Sequence, residues 1–237
     1  MRPNARIRLY CFPYAGGSGS TYRSWGDAFS EEIEVRSVQY PGRAFRLDER
    51  PKSTMDELID SMGEALYQDL TTDDTYVFFG HSMGALVAFE LTRWLNLRGY
   101  SQPEALYLSG GGAPRHSVER FGVAEMTDPE LIALIEKFGG TPDEVLQNER
   151  LMRLVLPMVR ADFTLLDGYE FRCSTPVEVP IFALGGLEDK VVGAEDLLKW
   201  SELTKGKVEV QLMSGGHFYV HSPEEELWPY LRMKLES

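Results

Sequence analysis

The amino-acid sequence of 237 residues predicts an α/β fold, in which helices cover both faces of a mostly parallel β-sheet. Two observations predict it. Six short apolar runs rich in Ile, Leu, Val, Tyr and Phe are typical of buried strands, and stretches with helical periodicity lie between several of them. The length and the hydrophobic share of 43% are those of one globular unit, so we expect a single domain over residues 1–237.

The predicted elements follow one another along most of the chain. The strands are Ile7–Phe12, Val35–Tyr40, Tyr76–Phe79, Ala105–Ser109, Ile181–Leu184 and Val208–Met213. The helices between or after them are Thr54–Leu70, Met83–Leu97, Ala194–Leu203 and a last one from Glu224 onward. Because strands and helices alternate, neighbouring strands are expected to be parallel.

The alternation stops between about residues 112 and 178, where no clear strand occurs. We expect a helical insertion there. Asp128 before Pro129 predicts the N-cap and first residue of a helix that ends at Gly139. A second helix is predicted over Glu149–Leu166, and Pro157 is expected to kink or split it.

The net charge of −13 opposes binding to nucleic acid or to an anionic membrane, since both attract clustered Lys and Arg. The charge is uneven, however. Residues 1–52 contain nine Lys or Arg against six Asp or Glu, and therefore have a local excess of positive charge.

No apolar run is long enough for a membrane span, and no signal-peptide core follows Met1, so we expect a cytoplasmic protein. The two cysteines, Cys11 and Cys173, lack the spacing of a zinc site and are expected to be reduced and structural. We expect neither a metal nor a cofactor.

The segment Gly80-His81-Ser82-Met83-Gly84 matches G-x-S-x-G and lies between a predicted strand and a predicted helix. In that context the motif forms a tight turn that exposes a nucleophilic serine. A chance match would seldom have a strand before it and a helix after it. The sequence therefore predicts Ser82 as a nucleophile, with the backbone N–H of Met83 directed at the reaction site.

A serine nucleophile needs a base, and four histidines are available. His81 lies inside the motif and His116 opens the insertion. His217 follows the strand Val208–Met213 in a glycine-rich turn, at the edge of the sheet where such a base is required. His221, four residues further, is the alternative.

An acid between nucleophile and base in the chain would orient the histidine. Asp189 follows the strand Ile181–Leu184 and fits best. Glu188 is its neighbour and Asp196 lies in a predicted helix; a solvated loop acid is the competing interpretation of Asp189.

The loop from Phe12 to Gly19 is rich in glycine and directly follows the first strand. It lacks the G-K-[ST] ending of a phosphate-binding loop and the G-x-G-x-x-G spacing of a dinucleotide site. We therefore interpret it as an oxyanion loop, in which the backbone N–H of Ala15 joins that of Met83.

Together these segments resemble the type II thioesterases of the α/β-hydrolase superfamily, which are stand-alone editing enzymes of polyketide and nonribosomal peptide synthesis. The resemblance extends from residue 9 to about 221. It rests on Phe12-Pro-Tyr-Ala-Gly-Gly-Ser with Tyr22 and Trp25, Gln39-Tyr-Pro-Gly-Arg43 with Arg46, Gly80-His-Ser-Met-Gly84, Gly185 with Asp189, and Gly216-His217.

The resemblance implies a substrate, namely an acyl or aminoacyl thioester on the phosphopantetheine arm of an acyl or peptidyl carrier protein. It also implies that the insertion is a lid whose apolar residues line the acyl pocket, with Leu131, Ile135, Met158 and Phe163 as candidates. Arg43 and Arg46 could contact the pantetheine phosphate or carrier acids within the basic segment 1–52, although a solvated surface role is equally compatible with the sequence.

Two other functions remain open at this point. The same residues would suit a carboxylesterase or acyl-CoA hydrolase that acts on free small molecules, and a third possibility is an inactive ligand-binding protein of this fold. Related domains also occur fused to synthases. The start of the first strand a few residues after Met1 favours stand-alone action.

Overall fold

The computed structural model describes residues 2, 5–70, 75–114, 120–172 and 175–236, and its centre is a parallel sheet of six strands. The strands are β1 (Ile7–Phe12), β2 (Ile33–Ser37), β3 (Thr75–His81), β4 (Leu106–Ser109), β5 (Ile181–Gly186) and β6 (Val208–Met213). Their order across the sheet is β2-β1-β3-β4-β5-β6, and every neighbouring pair is parallel. All six predicted strands are confirmed.

The bounds of β2 differ from the prediction. The strand begins at Ile33 rather than Val35 and ends at Ser37 rather than Tyr40. β2 is an edge strand in which Glu34 and Arg36 alternate with apolar residues, and a search for a continuous apolar run therefore misses its first residues.

Seven α-helices accompany the strands within the described ranges. They are α1 (Met55–Asp69), α2 (Met83–Leu97), α3 (Asp128–Phe138), α4 (Asp143–Leu146), α5 (Glu149–Asp167), α6 (Ala194–Leu198) and α7 (Leu227–Leu235). Short 3₁₀ segments occupy Gly19–Ala28, Ala44–Arg46, Val123–Glu125, Lys199–Glu202 and Tyr219–His221. The predicted helix over Ala194–Leu203 thus becomes α6 followed by a 3₁₀ segment.

The structure corrects the predicted N-cap of the first inserted helix and decides part of the expectation for Pro157. The N-cap of α3 is Thr127 rather than Asp128, and the Glu130 carboxylate accepts hydrogen bonds from the Thr127 N–H and hydroxyl at 2.8 and 2.7 Å. Pro157 lies inside α5 and does not split it, and its neighbours Leu156 and Val159 are buried in the same apolar cluster.

The inner strands bury both of their faces, as the fold class predicts. In β1, Tyr10 and Phe12 belong to the cluster formed with α1 and α2, whereas Leu9 and Cys11 belong to the cluster formed with α7 and Trp25. Cys11 is a free thiol whose pKa burial raises well above its ordinary value, in agreement with a structural role. Cys173 lies outside the described residues.

The insertion is helical, with α3, α4 and α5 between β4 and β5. Val123, Leu131, Met152 and further apolar residues form a third buried cluster, against which Ala15 of the glycine-rich loop also packs. The insertion is therefore seated on the end of the sheet from which that loop emerges. Within the described ranges no helix is both long and apolar enough to cross a membrane.

The sharp turn from β3 to α2 depends on its glycines. A Cβ atom on Gly80 would lie 2.0 Å from the carbonyl oxygen of Gly84, and a Cβ on Gly84 would lie 2.1 Å from that of Phe12. Both atoms belong to the backbone, so no side-chain rotation relieves the overlap.

We predict that Gly80→Ala destabilises the protein by more than about 3 kcal/mol, since overpacking against backbone forces the strand and helix apart. The free energy of unfolding in urea measures this. Gly26→Ala is the matched control, because a Cβ there meets no atom within 4 Å. Equal stability of the two variants would contradict the proposed contact.

Candidate active site

Ser82 occupies the turn between β3 and α2 in a strained backbone conformation. Its φ and ψ are 54° and −116°, although only a few per cent of non-glycine residues have positive φ. Ser82 N–H donates to the carbonyl of Ser109 in β4 at 2.7 Å, and its own carbonyl accepts from Ala85 N–H at 2.9 Å. Such strain persists only where surrounding contacts enforce it. The turn presents the Ser82 side chain at the carboxyl end of the sheet.

His217 and Asp189 are brought together from the loops after β6 and β5. His217 Nδ1 lies 2.8 Å from Asp189 Oδ2, and both side chains are almost fully buried. The other carboxylate oxygen of Asp189 accepts from the N–H groups of Val191 and Val192 at 2.8 and 3.1 Å. The carboxylate is therefore fixed on one side and available to the imidazole on the other.

The surroundings of Asp189 favour its ionised form. Burial opposes ionisation, but the hydrogen bond and charge of His217, with the Val191 and Val192 N–H groups, outweigh it and hold the pKa of Asp189 below its ordinary value of 3.8. The alternative acids lie elsewhere. Glu188 is exposed, and the Asp196 carboxylate is bonded to Gly193 N–H and Lys199.

The other described histidines have different partners. His81 is fully buried, its Nδ1 lies 2.8 Å from Ser109 Oγ, and burial holds its pKa well below the ordinary value. His221 Nε2 lies 2.9 Å from the hydroxyl of Tyr14, and burial lowers its pKa as well. His116 lies outside the described residues. Of the histidines described, His217 is the one bonded to a carboxylate.

Ser82 and His217 both line a cavity of about 320 Å³ beneath the lid. Ala15 and Met83, the two residues expected to supply oxyanion N–H groups, line it too. Tyr14 and Phe218 complete the wall around the histidine, with their ring centroids 4.9 Å apart. Sequence reasoning missed both aromatic residues, although each directly adjoins a predicted site residue.

The four candidate pocket residues of the lid fall into two pairs. Ile135 of α3 and Phe163 of α5 line the cavity. All four belong to the third buried cluster, that of the insertion, but Leu131 and Met158 are not among the residues that line the cavity. Helical periodicity identifies the apolar face of each helix but does not separate residues that face the cavity from those that join the helices.

The expectation that Arg43 contacts a pantetheine phosphate or a carrier protein was wrong, because this residue is 3% exposed and forms an ion pair with Asp162 of the lid helix α5. Arg46 is partly exposed, but its guanidinium is bonded to the Glu49 carboxylate and the Gln39 carbonyl. Sequence reasoning also missed Asp162, an acid on the lid helix α5 that has no local sequence signal.

No cluster of three or more His, Cys, Asp or Glu side chains suited to a metal ion occurs in the part of the chain that the structure describes.

Comparison with known proteins shows that this chain is similar to thioesterases. The family model described as "Thioesterase domain" matches residues 7–228. The gramicidin S biosynthesis protein GrsT of Aneurinibacillus migulanus is 34% identical, over 98% of this chain and 90% of its own length.

Two solved thioesterase structures have the same fold as this chain. The RedJ thioesterase from the prodiginine biosynthetic pathway of Streptomyces coelicolor superposes with a TM-score of 0.91 at 34% identity, over 99% of this chain and 88% of that one. The type II thioesterase BorB from the borrelidin biosynthetic cluster has a TM-score of 0.87 at 34% identity, over 98% and 93% of the two chains.

The lowered pKa of Asp189 predicts a pH-dependent contribution to stability. A carboxyl whose pKa is depressed on folding stabilises the protein fully above its ordinary pKa, and this contribution disappears as the pH falls through the lower folded value. We therefore expect Asp189→Asn to reduce the free energy of unfolding by about 2 kcal/mol at neutral pH. The difference from wild type should shrink below about pH 4.

Urea unfolding at several pH values measures this difference. Glu188→Gln is the matched control, since Glu188 is the exposed neighbouring acid, and its difference from wild type should stay small throughout. A loss in Asp189→Asn that is the same at pH 3 and pH 6 would show that the charge of Asp189 is not responsible.

Proposed function

Since this chain belongs to the thioesterase family, we propose that it is a type II thioesterase that hydrolyses acyl or aminoacyl groups from the phosphopantetheine arm of carrier proteins. The observation that supports this best is a strained serine and a buried His217–Asp189 pair that open on one apolar cavity. The names of the relatives connect them with gramicidin S, prodiginine and borrelidin biosynthesis. We infer that this protein removes stalled groups in such an assembly line.

In the first half of the proposed reaction, His217 accepts the proton of the Ser82 hydroxyl as the oxygen attacks the thioester carbonyl. The carbonyl oxygen becomes negatively charged. The backbone N–H groups of Ala15 and Met83 stabilise it, and Met83 is the first residue of α2, where the helix dipole also favours an anion. The tetrahedral intermediate collapses, the thiol leaves with a proton from His217, and an acyl-Ser82 ester remains.

In the second half, His217 activates a water molecule that attacks the acyl-Ser82 ester, and Ser82 regains its proton as the acid leaves. The Asp189 carboxylate accepts a hydrogen bond from the Nδ1–H of His217, so that Nε2 is the unprotonated nitrogen and acts as the base. The negative charge of Asp189 also stabilises the imidazolium that forms in each half of the reaction. No metal or diffusible cofactor takes part in this scheme.

The composition of the cavity wall indicates how the substrate lies. Ile135, Val159 and Phe163 of the lid form an apolar side, which suits an acyl chain. Ser18, Ser20 and Thr21 offer hydroxyl groups on the side of the glycine-rich loop. We propose that the acyl group lies under the lid and that the polar pantetheine arm passes along the loop.

The proposed partner is an acyl or peptidyl carrier protein, and the reaction takes place in the cytoplasm together with the assembly line. Carrier proteins are typically acidic, as is this chain, so association requires a local surface of favourable charge. The basic segment 1–52 remains the proposed surface, without Arg43, which is buried.

We predict that Ser82→Ala lowers thioester hydrolysis by at least about 10⁴-fold without loss of folding, because one oxygen atom is removed and no core volume changes. Release of free thiol measures the rate. Ser24→Ala, at an exposed position, is the matched control. Hydrolysis within tenfold of wild type would contradict Ser82 as the nucleophile.

The substrate class is tested with the wild-type enzyme and three matched acyl donors, namely the carrier-bound thioester, the free pantetheine thioester and a simple ester. We expect the largest kcat/KM for the carrier-bound thioester. A preference for the simple ester would indicate an esterase of free molecules, and failure of a serine-reactive phosphonate to label Ser82 would indicate a binding protein.

The cavity should set the accepted acyl length. Ile135→Trp fills part of the space beneath the lid, so we predict that kcat/KM for longer acyl chains falls by at least about tenfold relative to short ones. A series of acyl-pantetheine thioesters measures this. Leu154→Trp is the control, since Leu154 lies on the lid helix α5 but is 55% exposed. The same chain-length profile in both variants would exclude Ile135 from the acyl site.

A further inference from the structure

The ion pair between Arg43 and Asp162 joins the lid to the glycine-rich loop. Asp162 lies on α5 and is 2% exposed. Its carboxylate accepts a hydrogen bond from each terminal nitrogen of Arg43, at 2.7 Å on Oδ2 and 2.6 Å on Oδ1. Asp162 Oδ2 also accepts a hydrogen bond from Gly16 N–H at 2.7 Å. Arg43 in turn donates to the carbonyl of Gly17 at 3.0 Å. The pair therefore binds two consecutive residues of the loop, one through its N–H and one through its carbonyl.

The bound residues belong to a tight turn that includes Ala15. Gly17 N–H donates to the Tyr14 carbonyl at 2.8 Å, which closes a four-residue turn from Tyr14 to Gly17. Gly16 has a φ of +77°, and a Cβ atom there would lie 2.9 Å from Val159 Cγ2 of the lid. The turn that contains Ala15 is thus held in place from the lid side.

A second set of contacts fixes Arg43 itself. Its guanidinium carbon lies 5.2 Å from the centroid of the Tyr40 ring, and the Tyr40 hydroxyl donates to the Pro13 carbonyl at 3.0 Å. Arg43 therefore connects the lid helix to the first residues of the loop as well as to the turn. A buried ion pair adds little to stability compared with apolar residues of similar size, so stability alone gives a weak reason for this arrangement.

We propose that Asp162 and Arg43 are positioning residues of the reaction, which hold the Ala15 N–H in the geometry that stabilises the oxyanion. This inference rests on the proposed function, in which Ala15 supplies one of the two oxyanion donors. Neither residue touches the substrate. Asp162 acts through Gly16 N–H, and Arg43 acts through the Gly17 carbonyl and through Asp162.

The test compares Asp162→Asn with wild type on a free acyl-pantetheine thioester, so that carrier binding plays no part. We expect kcat to fall by about 100-fold with little change in KM, since a misplacement of about 1 Å costs about that much. Affinity for an acyl trifluoromethyl ketone, which forms a tetrahedral adduct with Ser82, should fall by a similar factor. A role in lid stability alone would not weaken this adduct in proportion to kcat.

Two further variants keep the test decisive. Asp167→Asn is the matched control, because Asp167 also lies on α5 and accepts hydrogen bonds from Phe121 and Val123 N–H within the lid. It should leave kcat near that of wild type. Asp162→Asn leaves Arg43 charged and buried without its partner, which can itself destabilise the fold. The double variant Arg43→Met, Asp162→Leu removes both charges. We expect it to fold and to lose as much kcat as Asp162→Asn.

The proposal is overturned if the folded double variant keeps wild-type kcat and adduct affinity, or if Asp167→Asn reproduces the loss. These outcomes differ from failure of the proposed function, in which the wild-type enzyme itself would hydrolyse no thioester.

Discussion

The close approach of three backbone segments around Ser82 is the constraint on which the site depends. Gly80 and Gly84 permit β3 and α2 to meet at a sharp angle, and Gly84 in turn lies against the Phe12 carbonyl at the end of β1. This contact brings the glycine-rich loop beside the serine. It also places the start of α2, with its partial positive charge, at the same point. Any side chain at these positions would force these segments apart and move Ser82 away from the glycine-rich loop.

The parallel sheet supplies the remaining groups in a regular way. Ser82, Asp189 and His217 follow β3, β5 and β6, and all strands end at the same edge because all are parallel. Burial then determines what each group can do. The side chain of Asp189 is enclosed and held by backbone N–H groups, so it stays ionised beside His217, whereas His81 is enclosed next to Ser109 and stays neutral.

The sequence predicted the parts that depend on local pattern. Strand β6 and helix α2 have the predicted bounds, and the motif around Ser82 falls between a strand and a helix. Long-range pairs were not predictable. Arg43 was expected to interact with a partner because its partner within the chain, Asp162, is 119 residues away and shows no local signal. Likewise, periodicity does not distinguish Met158, which packs inside the lid, from Phe163, which faces the cavity.

The separation of Arg43 and Asp162 along the chain also bears on the order of folding. Closing a loop of this length costs conformational entropy, which the contact must repay. The sheet is held by its own ladders, whereas the turn at Gly16 acquires its final shape only when α5 docks. On the proposed role of Asp162, a chain whose sheet has formed still lacks a positioned Ala15 N–H until α5 docks. On the same proposal, local opening of the lid would inactivate the enzyme while the sheet is still intact.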